Sequence, residues 1–179
     1  KEDLQEVESF FKTQVQVFDA AAQMEEDLRN ELDYLSHEPE ANDALNKIRL
    51  IVVAQGGFSY KKIPELNGLM STVREGHDRL LASKREEVND IITQCMGTVH
   101  QAANGDFKAK DLVAKADEYY SQQRQKVKDF QSLALLDSLI PPMLQYKDTA
   151  VARIEVAVAP PKPVDPPKPP VNPVNPPKP

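Results

Sequence analysis

Residues 64–106 read PELNGLMSTVREGHDRLLASKREEVNDIITQCMGTVHQAANGD, and the spacing of their apolar residues decides the fold. Leu66, Leu69, Met70, Val73, Leu80, Leu81, Val88, Ile91, Ile92, Cys95, Val99 and Ala102 recur at helical intervals, which puts a stripe on one face of a single long helix. Pro64 suits the first turn, where a missing N–H costs nothing, while Gly105 supplies a stop and Asp106 a cap for the next helix. Forty residues at about 1.5 Å each span roughly 60 Å, long for a globular domain. A second helix is expected over 108–139, using Leu112, Ala116, Tyr119, Val127, Phe130, Leu133 and Leu136, with Pro141-Pro142 ending it. The short link ANGD cannot return a chain across 60 Å, so about that length of helix must double back on itself.

Working outward, the first segment carries its own stripe. With Leu4 as position a, the a/d series is Leu4, Val7, Phe11, Gln14, Phe18, Ala21, Glu25, Leu28, Leu32 and Leu35. All but Gln14 and Glu25 are apolar, a seam that wants a partner helix within the chain or on another copy. Leu4, Val7, Phe11, Phe18, Leu28, Leu32 and Leu35 are therefore the candidate contact residues. Pro39 opens a further helix with Ala41, Ala44, Leu45, Ile48, Ile51 and Val52 on its apolar face, ending at Gly56-Gly57. The final piece, MLQYKDTAVARIEVAVA, begins in a helical pattern, but Ile154, Val156 and Val158 alternate as in a strand, and the sequence leaves that end open.

The expected fold is all-α: an elongated antiparallel helical hairpin or bundle with coiled-coil character over residues 1–158, then a proline-rich linker over 159–179. PPKP recurs at 160–163, 166–169 and 176–179, a composition that favours polyproline II and a stiff spacer. PxxP spacing also suits an aromatic-groove domain as a ligand. Neither terminus reads as natural, so the chain is expected to be an interior piece of a longer protein.

Charge narrows the functional classes. Residues 1–35 hold ten acids against three bases, which disfavours wrapping nucleic-acid phosphate with this helix. Cys95 is the only cysteine, so no internal disulfide forms, and a cytoplasmic location is expected. No apolar run is long enough for a membrane span. Tyr34, Arg74 and Gly97 stand three residues before His37, His77 and His100, where a carboxylate-bridged metal bundle needs Glu. No His-Glu-x-x-His and no second zinc-binding cysteine occur. Cys95 lies on the apolar stripe, as a small buried hydrophobe would. QGGFSYKK lacks the phosphate-binding loop pattern and reads as a helix-to-helix turn, with Lys61 and Lys62 beside Phe58 and Tyr60 as candidate nucleic-acid contacts. No catalytic residue, metal ligand or cofactor site is expected in this segment.

At YKKIPELNGLMSTVREGHDRLLASKREEV and DFQSLALLDSLIPPMLQYKDTAVARIE the chain resembles the C-terminal region of the large P-loop protein of BREX phage-defence systems, the BrxC/PglY type. The resemblance implies a large cytoplasmic parent with its ATP-binding module upstream and a role in excluding phage DNA. No nucleotide-binding residue carries over, because no Walker motif is present here. Its implied partners are proteins, either other phage-defence components or another copy, with nucleic acid reached only through the wider assembly and no membrane. Two further classes remain beside it: an envelope spacer with a proline-lysine stalk, and a nucleic-acid-contacting coiled coil.

Overall fold

The computed structural model of the chain describes residues 2–54, 58–168 and 170, and among them every regular element is helical. The helix foreseen around residues 64–106 is α4 (Ile63–Ala103), 41 residues without a break, with Pro64 in its first turn. It stops through two left-handed residues, Asn104 (φ 46°) and Gly105 (φ 71°). Asp106 Oδ1 then accepts from the Lys108 N–H at 2.8 Å, which restarts helix within a few residues. α5 (Lys110–Asp129) accordingly runs back along α4, with His100 facing Asp117 near the turn and Arg85 reaching Phe130 at the far end.

Two expectations need correction. The return helix does not continue to residue 139. It ends at Asp129, and the extended Phe130–Ser132 link leads to α6 (Leu133–Ser138), capped by the Ser132 hydroxyl on the Leu135 N–H. Arg85 explains the stop, since its guanidinium donates to the Val127 and Phe130 carbonyls at 3.2 and 2.8 Å and satisfies helix-end acceptors. Pro141-Pro142 do not end a helix either; they stand in the first turn of α7 (Ile140–Val158), where their fixed φ and missing N–H fit. α7 continues to Val158, so the alternation of its last residues lies on a helix, with Ile154 buried and Val156 exposed.

The first segment is also interrupted. α1 (Glu2–Leu28) gives way to a 3-10 turn at Arg29–Glu31 and a single further turn, α2 (Leu32–Leu35). The tighter turn swings Glu31 into the interior, where a continuous α-helix would have carried a different register of side chains inward. α3 (Pro39–Arg49) then runs antiparallel to both α1 and α4, since Glu38 pairs with Arg79 and Arg49 with Glu25. It closes in a π turn, Leu50–Ala54. The glycine stop foreseen at Gly56-Gly57 lies outside the described residues.

The core therefore falls into two clusters strung on one helix. Ala21, Leu35, Leu45, Ile48, Leu66 and Val73 belong to the first, built by α1, α3 and α4. Val88, Ile92, Tyr120, Leu136, Met143 and Ile154 belong to the second, built by α4, α5, α6 and α7. Between them α4 carries the largely polar run Ala82–Glu87, and among the described residues only Leu80 packs against both clusters. Gly76 marks a close approach of α3 to α4, because a Cβ there would overlap that of Ala41 on α3. Residues 159–168 leave the bundle with no regular structure and are exposed.

Candidate functional site

Two features stand out once the helices are placed: a polar junction at the waist between the clusters, and a bare apolar face at one end. At the waist, Glu31 is 4% exposed. Its Oε1 accepts from the Ser132 hydroxyl at 2.5 Å, its Oε2 accepts from the Leu133 N–H at 3.1 Å, and His77 Nε2 stands 3.4 Å from that same Oε2. Nearby, Tyr34 donates to Asp137, and Lys84 bridges Asp137 and Glu87 at 3.0 and 2.7 Å. Burial pushes the Asp137 carboxyl up, but the hydrogen bonds from Tyr34 and Lys84 outweigh it and hold it below its ordinary range. The same bond to Asp137 raises Tyr34, which has a carboxylate acceptor to lose if it ionises.

Serine, histidine and a carboxylate thus meet at one place, but in the wrong order for nucleophilic catalysis of the Ser-His-acid type. That chemistry needs the imidazole between hydroxyl and acid, to take the serine proton. Here the carboxylate occupies the middle, and its acceptor positions are filled by groups that fasten α6 to the end of α1. A groove of about 810 Å³ opens beside the junction, with Met24, Leu28, Val73 and Leu135 on its apolar walls. Among the described residues, no group of three or more His, Cys, Asp and Glu is placed to hold a metal ion. His37 contacts the Tyr34 carbonyl and His100 faces Asp117 across the α4–α5 turn.

The residues foreseen for a helix seam divide sharply. Leu35 is fully buried, and Phe18, Leu28 and Leu32 pack against the first core cluster. Leu4, Val7 and Phe11 are 75%, 52% and 49% exposed, and Phe10 and Val15 beside them are exposed as well. The stripe is continuous along α1, but α3 and α4 cover it only from about Val17 onward. Residues 2–16 overhang the bundle. Glu25, in the covered part, is buried and paired with both Arg29 and Arg49. The Arg29 hydrogen bond holds its carboxyl below the ordinary range, burial opposes this, and Arg49 adds to it.

Lys62 pairs with Glu65 at 3.2 Å, and Lys61 is exposed. Phe58 turns its ring edge-on to Phe18, 5.6 Å between centroids, which ties this connector to the root of the overhang. Tyr119 and Tyr120 belong to the core: Tyr119 stacks on Tyr146 at 3.8 Å, and the buried Tyr120 hydroxyl donates to the Met143 carbonyl at 2.9 Å. Burial pushes the Tyr120 hydroxyl far up, consistent with a neutral donor. Cys95 is buried in the same cluster.

Together these features define a class by architecture alone, an elongated helical bundle with a helical arm that is uncovered among the described residues. No protein-family model, curated protein or solved structure matches the chain. Among the described residues, no helix is long and apolar enough to cross a membrane.

Proposed function

We propose that this chain is a non-catalytic helical scaffold that couples protein modules through helix-face contacts, as part of a BREX-type phage-defence protein. One observation carries the coupling role: the apolar stripe of α1 is bare from Leu4 to Val15 and buried further along the same helix. A lone Leu or Phe on a surface is ordinary, but five large apolar side chains at helical spacing on one projecting helix mark a contact surface. The waist junction serves this role by fixing the direction of the arm, because Glu31 and Tyr34 bind the end of α1 and α2 to α6. The BREX assignment rests on the two sequence stretches around Ile63-Pro64 and Pro141-Pro142 that carry the resemblance.

The test is phage plating on cells whose BREX-type P-loop protein carries this segment. Val7→Glu with Phe11→Glu places charges on the bare stripe without touching the core. Phage exclusion should be lost, with the level of the protein and its ATP hydrolysis unchanged. Full exclusion by that variant would overturn the reading.

A further inference from the structure

We propose that the waist is a latched hinge: α1–α3 and α5–α7 form two bodies that share α4, and Glu31 with Tyr34 holds them in one orientation. The inference concerns the chain's own mechanics and goes beyond what its arm contacts.

The buried face of α4 is interrupted at one place. From Ile63 to Leu81, and again from Val88 to Ala103, its buried residues follow one another within five positions. Between Leu81 and Val88 none is buried, a stretch of about two turns. Each body grips α4 on its own side of that gap. Arg79 holds Glu38, the residue that opens α3, and the close approach of Gly76 to Ala41 lies just before it. On the other side Arg124 reaches from α5 to Thr93. Within the gap, Lys84 and Arg85 hold Asp137 and the end of α5 through long side chains, which tolerate a change of angle.

Direct bonds between the bodies come from two residues. Among the described residues, every hydrogen bond between residues 2–62 and 104–158 involves Glu31 or Tyr34, with Ser132, Leu133 and Asp137 as partners. The ring of Tyr34 and the side chain of Leu80 add apolar contact there. Beside them lies the groove of about 810 Å³, with Met24 and Leu28 on one wall and the exposed Leu135 on the other. That open space gives the bodies room to move.

A polar latch suits a joint that opens. Water replaces the partners of a carboxylate and a phenol when they part, whereas an apolar seam has no such substitute. Small polar interfaces between domains accordingly permit relative motion, and large apolar ones resist it. Each body keeps an apolar core of its own on its side of the waist. Opening therefore changes the angle between the bodies and leaves their interiors intact, a hinge motion.

Spin labels on the full chain test this. Asn46→Cys on α3 and Ser121→Cys on α5 are exposed positions, used in a Cys95→Ala background. Since Gly76 meets Ala41 and Thr93 meets Arg124, they project onto α4 about 25 residues apart, roughly 40 Å. Double electron–electron resonance should give one narrow distance with the latch intact, and a broadened or displaced one in Glu31→Ala with Tyr34→Phe. Tyr34→Phe alone leaves the Glu31 bonds in place and should broaden the distance less. A pair within one body, Ser121→Cys with Thr149→Cys, should stay narrow throughout. Amide exchange in the double variant should quicken over Ala82–Glu87 and Ser132–Asp137, while Leu66–Val73 and Ile92–Val99 stay protected. An unchanged distance between the bodies in both variants would overturn the hinge. So would broadening within one body, faster exchange through both cores, or loss of helicity in the double variant, since each body is held by its own core.

Discussion

Replacing Gly76 with alanine measures how closely α3 lies on α4. Gly68, Gly76 and Gly97 all fall inside α4. Glycine-to-alanine exchange within a helix stabilises by about 0.5–1 kcal/mol where space permits, because the unfolded chain loses freedom. A Cβ at Gly68 or Gly97 meets nothing within 4 Å, so both substitutions should raise stability by that amount. At Gly76 the new methyl would overlap Ala41 Cβ and stand 3.5 Å from Glu38 Cβ. Ala41 is 1% exposed and cannot swing aside, so α3 as a whole must shift. Overpacking of that kind costs about 1–3 kcal/mol, which reverses the sign. For a chain of this size, about 1 kcal/mol moves the melting temperature by about 2–4 °C. Gly76→Ala should therefore melt roughly 2–12 °C below Gly68→Ala, followed by circular dichroism with a urea titration for the free energy. Ala41→Gly should cost about 1 kcal/mol alone and much less beside Gly76→Ala, since it removes the overlapping methyl. Equal melting of Gly76→Ala and Gly68→Ala would refute the close approach, as would an Ala41→Gly cost that is the same in both backgrounds.

Glu31→Ala should destabilise by about 2–4 kcal/mol in urea titrations, because it orphans the buried Leu133 N–H and frees the Ser132 hydroxyl. Arg85→Ala should cost about 1–3 kcal/mol by removing the donors at the end of α5, and Arg85→Lys should restore only part, since one ammonium replaces a fork that spans two carbonyls. Amide hydrogen exchange should then show fraying at Lys126–Phe130 first. Acid should weaken the fold: Glu25, Glu38 and Asp137 are held below their ordinary ranges, by Arg29, by Arg79, and by Tyr34 and Lys84 against burial. Each contributes stability that is complete above the unfolded carboxyl value of about 4 and is lost as pH falls through its lower folded value. Urea midpoints should stay level down to that point and drop below it; Glu25→Gln should flatten the drop.

The helical class was legible because α4 repeats its apolar residues over forty-one positions with a proline in its first turn and a glycine soon after its end. The breaks were harder. Phe130, Leu133 and Leu136 keep a helical spacing straight through a segment that is extended at 130–132, because Arg85 on another helix takes the carbonyls there. Ser132 ahead of Leu133 is a start signal that the apolar spacing ran straight over, and the two prolines just inside Ile140, read as a stop, are a second one. The turn at Arg29–Glu31 had no local signal. Its cause, the bonds from Glu31 to Ser132 and Leu133, spans a hundred residues of sequence. For the arm, periodicity supplied the stripe from Leu4 to Leu35, but only the lengths of α3 and α4 determine which part of it their own chain covers.

The placement of the chain's two exits has a mechanical consequence. α1 enters beside Phe58, at the N-terminal end of α4, and α7 leaves where Val158 borders Asn104 and Gly105 at the other end. Tension between the exits runs along the helix axes. It passes from α1 into the first cluster, crosses the polar waist in the unbroken backbone of α4, and leaves through the second cluster into α7. Helices loaded lengthwise must slip many side chains together, whereas helices pulled sideways peel apart turn by turn. Pull applied between those two ends would load α4 lengthwise where it crosses the waist between the clusters.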